Sequence, residues 1–587
     1  MSNENISVKQ FNWMLREIDQ ETINQFIRRL SSSEILARLL VGRNVSLESA
    51  EQFLAPTLRE CMPDPFHLLD MRKAAEIIAD AVINKQKIVI FGDYDVDGAT
   101  SSALLKRFFN LLNIEVIVYI PDRIGEGYGP SVEAFSHLKN QGAEIIITVD
   151  CGTAAFEAID FANKNDLKVI IVDHHLSGDQ LPKADAIVNP NRKDETSMYG
   201  YLAAVGVAFL VAVAVISVLR KKEYFLNKEE PNLMKLLDIV AIGTICDVVP
   251  LELLNRAFVI QGLKILNKRQ NSGVQAFCQL LKLENELTTY HIGYVIGPRI
   301  NAGGRVGESS LGSRLLSTDN LQEAIEIARK LELYNSERKA IEYMVFDQAL
   351  EQAKLQSEDE VLIMVNGENW HQGVVGIVAG RLKEMMNKPV AVLTTDGEHC
   401  KASCRSVNGV DFGSAVVLAK EDGLLLSGGG HKMAAGFTLL KKNVPALKAF
   451  LHNKFTQELA LLKNRGNRYF DAYISTESAN IDFAKQIEKL GPFGPSNSEP
   501  KFMLKNIYLA KVNVFSDSNI SCLIGCKESK NLNSLLKANA FRVIGTKLGD
   551  ALLNKGYKNI DLVGYIRINR WKGRETAEFS IEDAIVS

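Results

Sequence analysis

Short apolar runs alternate with amphipathic stretches between residues 71 and 172. Residues 87–91 (KIVIF), 115–120 (EVIVYI), 144–149 (EIIITV) and 168–172 (KVIIV) read as buried strands. Residues 99–112, 132–140 and 154–165 lie between them and read as helices, preceded by a helical stretch at 71–84. Strands that are apolar throughout, each followed by a helix, predict a parallel sheet with helices on both faces. Residues 321–356 are highly charged and contain neither Gly nor Pro, which predicts a long connecting helix. VLIMV at 361–365 opens a second α/β segment that runs to about residue 460. After Arg465, short strands separated by polar turns predict a small β-barrel of the type that binds single strands. Residues 1–45 read as a small leader without chemistry.

One apolar run changes the picture if it spans a bilayer. Residues 202–219 (LAAVGVAFLVAVAVISVL) hold 18 positions without a charge, long enough for a transmembrane helix. The run is also rich in Ala, Val and Gly, which suits a helix packed tightly inside a domain. It separates His174 from Asp247, two candidate ligands of one metal site, and a single crossing would put them on opposite sides of a membrane. A buried core helix, and no membrane, is the expectation.

At 587 residues the chain is too long for one core and is expected to hold three or four domains. An apolar content of 46% and a charged content of 24% are ordinary for a soluble globular protein. The net charge of −2 does not mark a uniformly basic nucleic-acid binder. Residues 501–580, however, carry 14 Lys/Arg against 6 Asp/Glu, a net of +8, which leaves −10 on the remainder. That asymmetry fits either a module that grips a polyanion or a solvated charged surface. The eight cysteines form no CxxC pair and read as reduced thiols of a cytosolic protein. The N-terminus shows no basic start followed by an apolar core, so no signal peptide is expected.

Three predicted strands run directly into acidic residues. KIVIF leads into Asp93, Asp95 and Asp97 (DYDVDG), EIIITV into Asp150, and KVIIV into Asp173, His174 and His175. A fourth acid, Asp247, ends the apolar stretch 236–246. In an open parallel sheet the carboxyl ends of the strands share one edge, where ligands bind, so these groups can converge. Any one Asp at a strand end commonly serves as a helix cap or turn former. So many carboxylates at one edge would repel one another, and a pair of divalent cations removes the conflict. Carboxylate oxygens with imidazole nitrogen suit Mn²⁺ or Mg²⁺, and the lack of thiolates argues against structural zinc. Two such ions are a common centre for phosphodiester hydrolysis.

DYDVDG (93–98), VDCGT (149–153), VDHH (172–175) and the distal Asp247 resemble the four motifs of the DHH phosphoesterase superfamily. ICDVVPL (245–251), GPRINAGGR (297–305), WHQGVVGIVAGRL (370–382), SCRS (403–406), GGGHKMAAGF (428–437) and GPFGPSNSEPKF (491–502) narrow the resemblance to the RecJ family. That family consists of bacterial exonucleases that digest single-stranded DNA in the 5′→3′ direction. The resemblance is collinear from about residue 40 to the end. Residues 516–531 depart from it, lacking a His-Leu-containing strand.

The resemblance implies a leader at 1–45, a parallel-sheet DHH domain at 46–320, a connecting helix at 321–357, an α/β DHHA1 domain at 358–460 and an OB-fold barrel at 466–587. It implies that Asp95 and Asp150 hold one cation while Asp97, Asp150, His174 and Asp247 hold the other. His175 would donate to the scissile phosphate, and Asp93 would orient its turn or a bound water. Arg123, Ser403 and Arg405 would hold a 5′ phosphate. Arg299, Asn301 and Arg305, in a Gly-rich loop, and His371, Gly429, Gly430 and His431 would contact the strand, although a surface ion pair is the ordinary role of any one Arg. Trp370, Phe493 and Trp571 fit base stacking or plain packing. Family membership further implies a cytoplasmic monomer that acts in recombination and mismatch repair, with a helicase and single-strand-binding protein as partners. A hydrolase of short oligoribonucleotides or cyclic dinucleotides would share the metal centre, but the segment after residue 465 argues against it. A non-catalytic scaffold would have lost ligands, and all the expected ones are present.

Overall fold

The computed structural model describes residues 6–123, 125–357, 359–460, 466–526, 535–554, 560–571 and 573–586. The chain forms two compact units. One comprises Asp64–Asp247 and Gly262–Lys463, the other Met1–Pro63, Val248–Gln261 and Asn464–Ser587.

In the first unit, five parallel strands make one sheet. Their spatial order is Val116–Tyr119, Ile88–Gly92, Ile145–Val149, Lys168–Val172 and Ala186–Val188. Strands Ile88–Gly92 and Ile145–Val149 are buried at every position, as their unbroken apolar sequences require. The chain moves outward one way from Ile88–Gly92 and then returns to continue on its other side. That reversal creates a crevice at the carboxyl ends of Ile88–Gly92 and Ile145–Val149, where open α/β sheets bind ligands.

The apolar run forms helix Ala204–Lys221. It is the one helix among the described residues long and apolar enough to cross a bilayer, yet 78% of it is buried inside the unit. It packs against helices Val96–Leu111 and Met71–Ile83 in the core.

Helix Leu321–Lys354, 34 residues long, leads to a second sheet. Its strand order is Ser427–His431, Ala434–Leu440, His399–Arg405, Val390–Asp396 and Ile363–Glu368, with only the last two parallel. GPRINAGGR is helical rather than a loop, lying in helix Gly297–Val306. Its glycines serve close packing. A Cβ on Gly304 would lie 2.4 Å from the Tyr94 carbonyl oxygen.

In the second unit, strands Phe502–Phe515, Asn519–Cys526, Leu536–Ala540, Arg574–Val586 and Ile560–Trp571 pair in succession, and the last pairs back to the first. The result is a closed five-stranded barrel, as expected for an OB fold. The amino-terminal segment is not a separate leader. Asn12–Leu15 pairs in parallel with Asn467–Phe470. Ile23 and Phe26 of helix Gln20–Leu30 share one apolar core with barrel residues Phe502, Ile524 and Phe579.

Candidate metal centre and anion cavity

Each acidic group is fixed by the element that follows its strand. Asp95 caps helix Val96–Leu111, accepting from the amides of Asp97 (2.9 Å) and Gly98 (3.1 Å). The turn is tight. A Cβ on Gly98 would sit 2.4 Å from the Asp93 carbonyl oxygen, so only glycine fits. Asp97 points at the amino terminus of the apolar helix and accepts from Ala204 (2.6 Å) and Val205 (3.0 Å). The helix dipole there favours a negative group. Asp150 adopts a left-handed backbone, φ +61°, a conformation that costs a non-glycine residue energy and clusters at functional sites. Asp247 is the C-cap residue of helix Leu237–Cys246.

These elements bring the groups together. His174 Nε2 lies 3.3 Å from Asp150, 3.7 Å from Asp247 and 3.8 Å from Asp97. Its Nδ1 is 3.0 Å from the Leu202 carbonyl. Donation from Nδ1 leaves the Nε2 lone pair facing the acids, the usual arrangement of a metal-ligating histidine. Asp93, Asp95 and Asp150 form a second group with oxygens within 4.8 Å of one another, and Asp150 links it to His174 at 3.3 Å.

The electrostatics of this cluster are unfavourable without a cation. Burial, then repulsion by Asp95, pushes Asp93 up to about 8. Burial raises Asp97 to about 6, with His174 pulling the other way. Burial, then Asp97 and Asp95, raises Asp247 to about 9. Asp150 is driven well above the carboxylate range by burial and by four neighbouring acids. One oxygen each of Asp93, Asp150 and Asp247 is buried without a hydrogen-bond donor. Buried carboxylate oxygens without hydrogen-bond partners, beside an imidazole lone pair, fit hard divalent cations, which would displace the protons that burial and repulsion favour.

Asp173 behaves differently. Burial opposes its ionisation, yet His175 at 2.8 Å and the Thr153 amide at 3.1 Å hold it well below the usual carboxylate range. In return Asp173 raises His175 against the effect of burial. Asp173 thus orients His175, and the ring of Tyr128 stands edge-on to it at 6.2 Å.

Beside the cluster lies a cavity of about 460 Å³. Arg123, Arg305, Ser403, Arg405 and Lys401 line it, together with Tyr94 and Tyr128. The Arg123 guanidinium stacks on Tyr94, 4.8 Å from the ring centre. Burial, reinforced by Arg123 and Arg338, lowers Arg305 to about 10, and burial lowers Arg405. A cavity where buried Arg305 is further disfavoured as a cation by neighbouring arginines is suited to an anion.

The DHH family N-terminal domain matches residues 87–244, the DHHA1 domain residues 358–457 and the RecJ OB domain residues 470–583. The chain is 32% identical to the single-stranded-DNA-specific exonuclease RecJ of Bacillus subtilis, over 98% of this chain and 71% of that protein. It is 33% identical to its Salmonella typhimurium counterpart, over 94% of this chain and 95% of that one. The chain belongs to the RecJ family. The crystal structure of RecJ from Thermus thermophilus in complex with Mn²⁺ has the same fold, with a TM-score of 0.80 and 25% identity, over 98% of this chain and 79% of that one.

Against the RecJ motif pattern, the structure groups Asp95, Asp97, Asp150, His174, His175 and Asp247 at one edge, and adds Asp93 to them. It gathers Arg123, Arg305, Ser403 and Arg405 around the cavity. The other sequence-based candidates lie elsewhere. Arg299 pairs with Glu332 and donates to the Val295 carbonyl at 2.6 Å. Asn301 sits within helix Gly297–Val306, and His371 caps helix Gln372–Met386 by accepting from Gly373. Gly429, Gly430 and His431 are exposed on strand Ser427–His431. Trp370 is buried and donates to Gln348, and Phe493 packs on the barrel core. The side chain of Trp571 lies outside the described residues. The roles of Asp173, Tyr94 and Tyr128 emerge only in three dimensions. Asp173 belongs to VDHH and Tyr94 to DYDVDG, whereas no sequence signal marked Tyr128.

The raised acids set a pH dependence. An acid whose folded pKa exceeds its unfolded value contributes stability below the unfolded pKa and loses it as pH rises through the folded one. For Asp247 that window runs from the usual carboxylate range to about 9. In EDTA, Asp247→Asn should therefore be increasingly more heat-stable than the parent from pH 6 to pH 9. A melting difference that does not grow over that range would contradict the repulsion described.

Proposed function

We propose that this protein degrades single-stranded DNA from the 5′ end, releasing mononucleotides, with two divalent cations, Mn²⁺ or Mg²⁺. The observation that carries the reading is the buried set of donor-less carboxylate oxygens around His174, beside a cavity lined by arginines. Asp95 and Asp150 would hold one ion, and Asp97, Asp150, His174 and Asp247 the other. When bound, the ions supply Lewis-acid charge at the scissile phosphate.

The chain's own groups do the rest. Asp173 holds the His175 ring by its Nδ1, freeing Nε2 to donate to a phosphate oxygen as charge builds there. Arg123, Arg405 and Ser403, with Arg305, would bind a terminal 5′ phosphate in the cavity, since guanidinium groups match phosphate geometry. A pocket that holds a terminal phosphate favours digestion from an end over internal cutting. A monomer in the cytoplasm, fed single strands by a helicase alongside single-strand-binding protein in recombination and mismatch repair, is the setting that family membership supports. The eight free cysteines agree with a reducing compartment.

Asp150→Ala should abolish cleavage of single-stranded DNA in Mn²⁺ while leaving part of the DNA affinity, because both ions lose their shared ligand. Near-normal turnover by the variant would refute the two-ion assignment. A 5′-labelled strand should yield labelled mononucleotide as its first product, and Arg405→Ala should reduce the preference for a 5′-phosphate over a 5′-hydroxyl end. Early release of a 3′ label would reverse the polarity.

A further inference from the structure

Residues His291–Ile296 form a π-helix that runs into helix Gly297–Val306. Such turns are rare and occur frequently at functional sites. This one packs on the last turn of helix Leu237–Cys246. The Cys246 thiol lies 3.7 Å from the Ile292 carbonyl, and a Cβ on Gly293 would touch Ile245 at 3.6 Å. Asp247 caps that same helix. The π-helix therefore packs, through Ile292 and Gly293, against the end of the helix that carries Asp247.

That surface carries two aromatic rings in water. Tyr290 and Tyr294 are 62% and 75% exposed. Their centroids are 5.4 Å apart and their planes are tilted by 32°. The His291 ring braces Tyr290 edge-on at 5.8 Å, and its Nδ1 accepts the Thr288 amide at 3.2 Å. Arg299, one turn further on, donates to the Val295 carbonyl and pairs with Glu332. It fastens the π turn rather than reaching into the cavity. Two exposed, mutually braced rings on a fixed backbone forgo burial in the core and keep flat apolar faces available.

We propose that Tyr290 and Tyr294 form a stacking platform for unpaired bases of the substrate strand as it passes the Asp247 side of the catalytic cluster. The inference rests on the exonuclease reading above. Every base has a π face, so a tyrosine platform grips without sequence preference. Bases inside a duplex have their faces covered by neighbours, so the same platform contributes to selection for single strands.

The test is equilibrium binding of a 3′-labelled oligothymidine in EDTA, where no strand is cut. Tyr290→Ala and Tyr294→Ala should each weaken binding on the order of tenfold, and Tyr→Phe at either position should retain it, because the ring does the work. Replacing one base at a time by an abasic site should reveal one or two adjacent positions to which the unmodified protein is sensitive. The double alanine variant should lose that sensitivity. The scan on unmodified protein needs no variant to fold. Equal affinity of the unmodified and double alanine proteins, or a scan without a sensitive position, would overturn the platform. Failure of the unmodified protein to bind or cut single strands would instead overturn the exonuclease reading.

Discussion

Asp93, Asp97 and Asp150 are almost fully buried side by side, with Asp247 close behind. Like charges in a medium of low polarity repel strongly, and each pays for lost hydration as well. A fold that keeps such a group together must restrain each carboxylate separately and leave room for positive charge. The larger unit does both. The switch point of the sheet brings three strand ends to one place, and each acid is then tied by a different local device. Asp95 is held by amides of its own helix, Asp97 by amides of another helix, and Asp150 by an unusual backbone angle.

The apolar helix Ala204–Lys221 acquires its meaning from this requirement. Its first amides hold Asp97, and the Leu202 carbonyl just before it orients His174. A helix that begins at a charged cluster and continues through the core has no use for polar side chains along its length. Small residues let it approach its neighbours closely. The composition that resembles a membrane span is that of a core helix whose polar work is done at one end by its backbone.

The strand ends were legible in the sequence because fully buried parallel strands leave an unbroken apolar signature, and the acids follow without a gap. The cavity was partly legible, through the motifs that hold Arg305, Ser403 and Arg405. Other features depended on packing that no local pattern records. The leader was misjudged because Ile23 and Phe26 gain their partners from barrel strands several hundred residues away. GPRINAGGR reads as a loop from its glycines, yet Gly304 serves close approach of a helix to Tyr94. The basic stretch at 501–580 is partly neutralised by its neighbours in the fold. Arg567 pairs with Glu499, Arg570 with Glu488 and Lys501 with Glu582, all acids outside that window. Surface pairs of this kind leave less free charge than the count indicated, although they contribute little to stability.

The central claim is that this cluster is built for two divalent cations. Calorimetric titration of Mn²⁺ into metal-stripped protein at pH 7, repeated in buffers of different ionisation enthalpy, measures ions and protons together. The account predicts two ions per chain with net release of protons, because the ligands Asp247, at about 9, and Asp150, held well above the carboxylate range, must give theirs up. A single ion per chain, or binding that releases no proton, would contradict it.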